Sequence, residues 1–273
     1  MELLNRVCLV AGASGVIGSA IARRFPREGA RLALTSRYGA EESLTLGADG
    51  QNNLCFALDV CDWDNVERVA TSIADCWGRI DVLVNCTGVI GPIGPLLQSD
   101  VQAWRKAVEI NLIGAFHLVR AAVPLMQRAR KGKIIHLSGG GAAYGRPYFT
   151  AYSAAKAALV RLTESLAGEL RESNIDVNAI APGPVKSRMW EELRAAGTAG
   201  GQKALEELKQ MDETGGVPPE RAADLALFLA SERSNGLTGR LISAVHDKWN
   251  ELEFRIPELI SGDAWTLRRI PLD

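Results

Sequence analysis

Short apolar runs alternate with longer segments of helical periodicity along most of this 273-residue chain. Six runs with few polar positions predict strands, and they cover residues 6–11, 31–35, 54–58, 82–85, 133–137 and 175–180. The main helical patterns cover residues 17–28, 63–77, 101–127 and 151–170. Apolar strands of this kind are typical of a parallel sheet that is covered on both faces. The alternation therefore predicts an α/β fold with a doubly wound parallel sheet, whose ligands bind at the carboxyl ends of the strands.

The composition is compatible with one globular domain and argues against two classes of partner. With 47% hydrophobic residues, the chain can bury a sizeable core. Its formal net charge is −1 and its basic residues are scattered, which argues against a surface for nucleic acid or a membrane. We therefore expect a small, near-neutral molecule as the partner.

Three features predict the location of the protein. Apolar runs stay shorter than the roughly 18 residues of a membrane helix, and the first strand begins too early to leave room for a signal peptide. The five cysteines are odd in number and lack metal-type spacing. They are Cys8, Cys55, Cys61, Cys76 and Cys86. We expect free thiols, no metal site and a soluble, cytoplasmic protein.

Tyr152 and Lys156 lie four residues apart in the helical segment that follows a glycine-rich loop. Side chains at this spacing share one face of a helix. A free phenol has a pKa of about 10, and a neighbouring ammonium group lowers that pKa toward the range in which general acid–base catalysis works best. The pair alone is a weak signal, because a tyrosine also packs over a lysine stem in many ordinary helices.

A glycine triplet follows the first predicted strand and opens the first predicted helix. Gly12, Gly15 and Gly18 are three residues apart, and they lie in the strand-to-helix context that a dinucleotide-binding turn requires. Gly12 and Gly15 allow a tight turn and a close approach of backbone amides to a pyrophosphate, while Gly18 allows close packing of the helix on the strand. The alternative is an ordinary glycine turn.

These and further motifs, in this order and spacing, resemble the short-chain dehydrogenase/reductase family over residues 6–240. The further motifs are Leu58-Asp59-Val60, GRIDVLVNCTG around Asn85, EINLIGAF with Asn111, PGPVKS from Pro182 and LTGR near Gly239. The resemblance implies a seven-stranded parallel sheet of the Rossmann type and hydride transfer between NAD(P)H and a carbonyl or alcohol. It also implies a homo-oligomer, either a dimer or a tetramer.

The resemblance assigns catalytic roles to four residues. Tyr152 would be the general acid in reduction and the general base in oxidation. Lys156 would hold the nicotinamide ribose and lower the pKa of the tyrosine, and Asn111 would anchor a water that continues the proton relay. The serine that usually lies thirteen residues before the tyrosine is replaced by Gly139, so Ser138 is kept as a candidate that faces away unless the strand end bulges. Tyr144, an amide near Gly140 or a hydroxyl of the substrate are alternative donors.

The cofactor site implied by the family spans the carboxyl edge of the sheet. In the family pattern, Asp59 and Val60 flank the adenine, Asn85 braces the central strands, and Val185 with Ser187 meets the carboxamide. On their own, Asp59 would be read as a strand-end cap and Asn111 as a helix residue that bonds locally. The full expected set is Gly12, Ser14, Gly15, Ile17, Gly18, Ser36, Arg37, Asp59, Val60, Asn85, Gly88, Tyr152, Lys156, Pro182, Gly183, Val185 and Ser187.

The end of the second strand predicts which nucleotide is bound. An acidic residue there would bond the adenosine ribose and exclude a phosphate, but Ser36 and Arg37 occupy the position. A guanidinium group pairs with a phosphate through two parallel hydrogen bonds, so Arg37 favours NADP(H), with Ser14 and Ser36 as helpers. A solvated loop arginine, and therefore NAD(H), is the alternative.

Residues 184–216 interrupt the alternation of strands and helices with two helical patches that are separated by glycines, and in the family this position forms a lid over the substrate. We expect substrate contacts from Gly139, Tyr144, Tyr148, Met189 and Trp190. The expected nucleotide-binding domain spans residues 1–245. Residues 246–273, with Trp249 and Trp265, form a C-terminal extension that packs on the domain or on a neighbouring subunit.

The predicted function is an NADP(H)-dependent oxidoreductase acting on a small carbonyl or alcohol. Two alternatives remain within nucleotide binding: a catalytically weak NADP(H) sensor, which the glycine at 139 suggests, and an NAD-dependent alcohol dehydrogenase. A sugar-nucleotide epimerase is disfavoured because a large C-terminal substrate domain is lacking. His246 is interpreted as a surface or interface histidine.

Overall fold

The computed structural model describes residues 1–37 and 53–269, and its centre is one parallel sheet. Its strands are β1 (Val7–Ala11), β2 (Arg31–Ser36), β3 (Leu54–Ala57), β4 (Val82–Asn85), β5 (Gly132–Leu137), β6 (Ile175–Ala181) and β7 (Leu241–Ser243). They lie in the order β3-β2-β1-β4-β5-β6-β7, and every neighbouring pair is parallel. The six strands predicted from the sequence are present, with ends that differ by at most one residue. The doubly wound, seven-stranded fold is therefore confirmed.

Helices cover both faces of the sheet. They are α1 (Val16–Arg24), α2 (Trp63–Trp77), α3 (Val101–Val108), α4 (Gly114–Ala129), α5 (Thr150–Glu169), α6 (Arg188–Ala196), α7 (Gln202–Thr214), α8 (Pro219–Ala230) and α9 (Ile256–Ser261). The predicted helix over 17–28 is only partly correct, because α1 ends at Arg24 and a 3-10 turn covers Phe25–Glu28. Pro26 has no amide hydrogen to donate to the preceding turn, so the α-helix stops before it.

The period of two along each strand divides the core into two layers. Cys8 and Val10 of β1 pack with α1, α8 and the C-terminal segment, whereas Val7, Leu9 and Ala11 pack with α2, α4 and α5. Both faces of β1 are thus buried, which explains why its sequence has no polar position. Burial on both faces also leaves only the strand ends free to form a site.

The helical segment 101–129 differs from the prediction in two ways. A π turn at Glu109–Ile113 separates α3 from α4, where an uninterrupted helix was expected. The whole segment is also long and apolar enough to cross a membrane by length and composition alone. The sequence analysis did not predict this, because Asn111, His117 and Arg120 interrupt the apolar run. A third of its most apolar window is buried inside the fold, where Leu118 and Met126 join the core.

Two appendages complete the chain. The segment with α6 and α7 starts and ends at an isolated antiparallel bridge between Val185 and Gly216. The C-terminal segment packs on its own domain: the Arg240 guanidinium donates to the carbonyl oxygens of Leu259 (2.6 Å) and Ala264 (2.9 Å). Trp249 lies against Phe228 of α8, with ring centroids 6.2 Å apart.

Candidate functional site

The turn after β1 has the geometry of a nucleotide cradle. Gly12 has a φ of +78°, and a Cβ there would lie 3.0 Å from the carbonyl carbon of Cys86 in the loop after β4. A Cβ on Gly18 would lie only 2.2 Å from the carbonyl oxygen of Gly12, so α1 packs directly on the turn. Gly15 caps α1 without a side-chain hydrogen bond, and Ser14 and Gly15 are exposed. The first-turn amides of α1 therefore begin beside exposed residues and receive no side-chain cap from Gly15.

The expected adenosine site lies at the ends of β2 and β3. Ser36 is the last residue of β2 and is buried, while Arg37 follows it and is exposed. Asp59 is exposed, and its side chain accepts a hydrogen bond from the amide of Cys61 (2.9 Å), so it does cap the strand end locally. Val60 is buried against Gly114: a Cβ on Gly114 would lie 2.5 Å from Cγ2 of Val60. All four residues lie at the carboxyl edge of the sheet, beside the glycine turn.

Asn85, the last residue of β4, bonds its own loop. Its Oδ1 accepts from the amide (3.0 Å) and the hydroxyl (2.6 Å) of Thr87. The loop then passes Gly88, where a Cβ would lie 2.9 Å from Oδ1 of Asn111 and 3.3 Å from Nζ of Lys156. The backbone at Gly88 therefore borders the polar atoms of both residues.

Asn111 is buried at the centre of the π turn. Its Nδ2 donates to the carbonyl oxygens of Val89 (2.8 Å) and Ala107 (2.9 Å), and its Oδ1 accepts from the amide of Val89 (3.2 Å). The bond to Ala107 is the local one expected of a polar helix residue, but the two bonds to Val89 connect the helix to the loop after β4. π turns occur frequently at functional sites because they redirect a side chain in this way.

Tyr152 and Lys156 lie on α5 and line one cleft. The Lys156 Nζ is 5.8 Å from the centroid of the Tyr152 ring and donates to the carbonyl oxygen of Leu137 (2.7 Å). Burial lowers the pKa of Lys156 to about 8. Burial also raises the pKa of Tyr152, and the charge that opposes this rise is Arg146 rather than the expected Lys156.

Gly139, the position at which the family pattern predicts a serine, lies next to the Tyr152 hydroxyl. A Cβ on Gly139 would lie 2.8 Å from the hydroxyl oxygen of Tyr152, so position 139 is the one that adjoins the phenol. Ser138 continues the β5 ladder through its amide, which donates to the carbonyl oxygen of Ile180 (2.8 Å). Its Oγ is buried and has no hydrogen-bond partner in the described part of the chain, although the residue borders the cleft.

The cleft has a volume of about 730 Å³ and lies between the sheet edge and the segment with α6 and α7. It brings together many of the residues expected from the sequence, namely Ile17, Gly88, Ser138, Gly139, Tyr144, Tyr152, Lys156, Pro182, Gly183, Val185, Ser187, Met189 and Trp190. Tyr148 is not among its lining residues. A Cβ on Gly201 would lie 2.5 Å from the Tyr148 ring, so this ring packs on the joint between α6 and α7.

The cleft is also lined by residues that the reading of the sequence did not select. Arg146 forms an ion pair with Glu207 of α7, and both border the cleft. Gln210 and Thr214 share that face of α7 with Glu207, and His246 follows β7 at the opposite side. Positions 207, 210 and 214 are spaced so that they lie on one face of a helix, and this spacing was the feature of the sequence that could have indicated a shared surface. Within residues 1–37 and 53–269, no group of three or more His, Cys, Asp or Glu side chains could hold a metal ion.

A family model described as enoyl-(acyl carrier protein) reductase matches residues 11–245. The 3-oxoacyl-[acyl-carrier-protein] reductase of Thermotoga maritima is 34% identical over 247 residues, which cover 89% of this chain and 97% of that protein. The chain therefore belongs to the short-chain dehydrogenase/reductase family and is an oxidoreductase acting on CH–OH or C=O groups.

Two solved structures agree with this assignment and carry different nucleotides. An NAD⁺-bound xylitol dehydrogenase superposes with a TM-score of 0.82 at 28% identity, over 89% of this chain and 98% of that chain. A short-chain dehydrogenase of Shigella flexneri 2a strain 301 in complex with NADP has a TM-score of 0.75 at 27% identity, over 89% and 98% respectively. Both neighbours thus bind a nicotinamide nucleotide, but only the nucleotide in the second structure carries the 2′-phosphate.

Proposed function

We propose that this chain interconverts a small carbonyl compound and its alcohol with NADP(H), using Tyr152 as general acid and base. One observation carries the proposal. The Tyr152 hydroxyl borders the cleft beside Lys156, and it has no hydrogen-bond partner within the described residues. A phenol held in this way is available to a substrate oxygen.

The residues present fit a nicotinamide nucleotide. The exposed glycine turn would hold the pyrophosphate, Val185 and Ser187 would meet the carboxamide, and Lys156 would hold the nicotinamide ribose. When bound, the nucleotide supplies a hydride in reduction and accepts one in oxidation. In reduction, the Tyr152 phenol donates its proton to the carbonyl oxygen; in oxidation, the phenolate removes the proton of the alcohol. Asn111 orders the loop at Val89 and would anchor the water that exchanges this proton with solvent.

The preference for NADP(H) rests on the end of β2. Arg37 is exposed at the carboxyl edge of the sheet, next to Ser36, and no acidic residue stands at either position. A guanidinium there favours a 2′-phosphate.

Nucleotide choice is tested by fluorescence titration with NADPH and NADH. We expect tighter binding of NADPH by the wild type and a loss of about 10- to 100-fold in Arg37→Ala, the cost of a charged hydrogen-bonded pair. Arg31→Ala is the matched control, because Arg31 is exposed at the opposite end of β2. Equal or tighter binding of NADH by the wild type would contradict the phosphate contact.

The catalytic role is tested by turnover of a panel of apolar and cyclic carbonyl compounds. The apolar side chains of Ile90, Met189, Trp190, Leu193 and Met211 in the cleft favour such substrates. Tyr152→Phe should abolish turnover and retain nucleotide binding, whereas Tyr148→Phe, altered outside the cleft, should retain both. Unchanged turnover in Tyr152→Phe would remove the proposed proton donor, and nucleotide binding without turnover in the wild type would favour a sensor.

The proposal includes a cytoplasmic homo-oligomer, either a dimer or a tetramer. Ile113 and Phe116 are 42% and 47% exposed on the α3–α4 segment, which supports association through that face. Light scattering of the purified protein tests this proposal, and a monomer at micromolar concentration would contradict it.

A further inference from the structure

Arg146 is held at the cleft on several sides. It lies in the loop between β5 and α5, and its guanidinium carbon is 4.1 Å from the centroid of the Phe149 ring. Its guanidinium pairs with the carboxylate of Glu207 on α7, and 19% of its side chain is exposed. Stacking and pairing together fix the charge of a residue that would otherwise be free to extend into solvent.

The same loop touches the segment with α6 and α7 at two further points. Lys203 Nζ lies 5.1 Å from the centroid of the Tyr144 ring, and Tyr148 packs on Gly201. The position of Arg146 is thus set jointly by the loop and by the segment that closes the cleft.

Tyr152 has few other groups to stabilise a negative charge on its oxygen. Gly139 offers no hydroxyl, and the Lys156 ammonium directs one of its three donors to the carbonyl oxygen of Leu137. The titratable and charged groups that line the same cleft are Lys156 on its own helix, Tyr144 and Arg146 in the loop, Cys86 after β4, Glu207 on α7 and His246 after β7. Of these, Arg146 is the charge that lowers the pKa of Tyr152 against the effect of burial.

We propose that Arg146, held in place by Glu207, is a positioning residue that stabilises the negative charge developing on the Tyr152 and substrate oxygens, in place of the serine hydroxyl that Gly139 lacks. The inference rests on the proposed role of Tyr152. A positive charge at the wall of a protein cleft stabilises developing negative charge more strongly than the same charge does in bulk water. Arg146 exchanges no proton itself, because a guanidinium stays protonated throughout.

In oxidation, Tyr152 must be a phenolate, so kcat/KM rises with pH through the pKa of Tyr152. Substitutions of the two members of the ion pair should shift this rise in opposite directions. Arg146→Met removes the positive charge, so the rising limb of kcat/KM should move to higher pH by about 0.5 to 1 unit. Glu207→Gln leaves the guanidinium uncompensated, so the limb should move to lower pH. Arg146→Lys keeps the charge and should lie close to the wild type.

The lid provides a matched control. Arg194 of α6 pairs with Asp212 of α7 at 3.0 Å, and neither residue lines the cleft. Arg194→Met removes an ion pair from the same segment, and it should leave the limb unmoved. The inference would be overturned if Arg146→Met left the pH of the rising limb unchanged, or if Arg146→Met and Glu207→Gln shifted it in the same direction. The ion pair would then serve only to hold the loop and α7 together.

A second readout does not depend on activity. Phenolate absorbance is titrated in the nucleotide-free protein, and subtracting the curve of Tyr152→Phe isolates the phenol of Tyr152 from the other three tyrosines. Arg146→Met should raise this pKa, and an unchanged value would overturn the inference. Full turnover in Tyr152→Phe would instead defeat the proposed function, so the two failures are distinguishable.

Discussion

Gly139 lies directly against Tyr152: a Cβ on Gly139 would stand 2.8 Å from the phenol oxygen. This separation is shorter than real Cβ contacts, so any side chain at 139 requires the phenol to move. The usual serine hydroxyl is therefore absent from a place that the tyrosine itself now borders. The absence of a side chain at position 139 and the position of the Tyr152 phenol are therefore linked.

Introducing a serine at position 139 should not increase kcat/KM. We expect Gly139→Ser to lower kcat/KM by about 10- to 100-fold, because displacing a catalytic group by about 1 Å has effects of this size. Gly139→Ala should fall by a similar factor, since the Cβ is the cause. Gly141→Ala is the control, because its Cβ would meet only the Ser153 hydroxyl at 3.1 Å and the edge of the Tyr152 ring. Higher turnover in Gly139→Ser would contradict this view.

The glycine turn offers a test by stability alone. Gly18→Ala would place a Cβ 2.2 Å from the carbonyl oxygen of Gly12, and backbone on both sides cannot give way cheaply. We expect a loss of about 2–4 kcal/mol in the free energy of unfolding. In Gly15→Ala the closest approach is 3.3 Å, and the loss should stay below about 1 kcal/mol. Urea unfolding of both variants measures the difference, and equal losses would argue against this packing of α1.

Lys156 should cost stability. Its charge is buried with no carboxylate partner among residues 1–37 and 53–269, and burial lowers its pKa from 10.5 to about 8. Lys156→Met should therefore raise the free energy of unfolding at pH 7 by about 1–2 kcal/mol, after the lost bond to Leu137 is subtracted. Lys133→Met should do the opposite and lose about 3–5 kcal/mol, because it leaves the buried Asp176 unpaired.

The pH dependence of the free energy of unfolding tests independently whether burial lowers the pKa of Lys156. Between pH 8 and 10.5 the unfolded chain binds the Lys156 proton and the folded protein does not, so the wild type gains stability as pH rises. The advantage of Lys156→Met should then shrink above pH 8. Comparing the two proteins cancels the contribution of Cys8, whose pKa burial raises and which Lys156 does not affect. A constant difference across this range would mean that the ammonium is not desolvated.

The C-terminal segment should contribute to global stability. Leu259 is buried in the core with Leu252 and Ile256, whereas the neighbouring Ile260 is 38% exposed. Leu259→Ala should cost about 2–4 kcal/mol and Ile260→Ala less than about 1 kcal/mol. Thermal unfolding of the two variants tests this, and similar melting temperatures would mean that the segment is only loosely attached.

The fold could be predicted from the sequence because its information is local. Apolar runs marked six strands, and the spacing of Tyr152 and Lys156 placed both on one helix face. The seventh strand came from the family resemblance, since β7 has three residues and too short a pattern to read. The π turn at Asn111 was missed because the residues there have ordinary helix-forming character.

The ion pair across the cleft could not be read from the sequence. Arg146 and Glu207 are 61 residues apart, and neither the charges nor their spacing shows that loop and lid meet. The opposite error concerns Tyr148, an aromatic residue in the correct loop whose ring packs on Gly201 instead of lining the cleft. Arg37 and Ser36 lie where the motif indicates, and residues 38–52, which follow them, lie outside the described part of the chain.

The bridge between Val185 and Gly216 brings the two ends of the lid to neighbouring points. A segment fastened in this way can change in length or composition without moving either attachment, because its closure cost depends only weakly on the number of residues between. Residues 186–215 are therefore an exchangeable module. Under the proposed function, the substrate range can be changed there, by mutation or by grafting, while the glycine turn and Tyr152 stay in place.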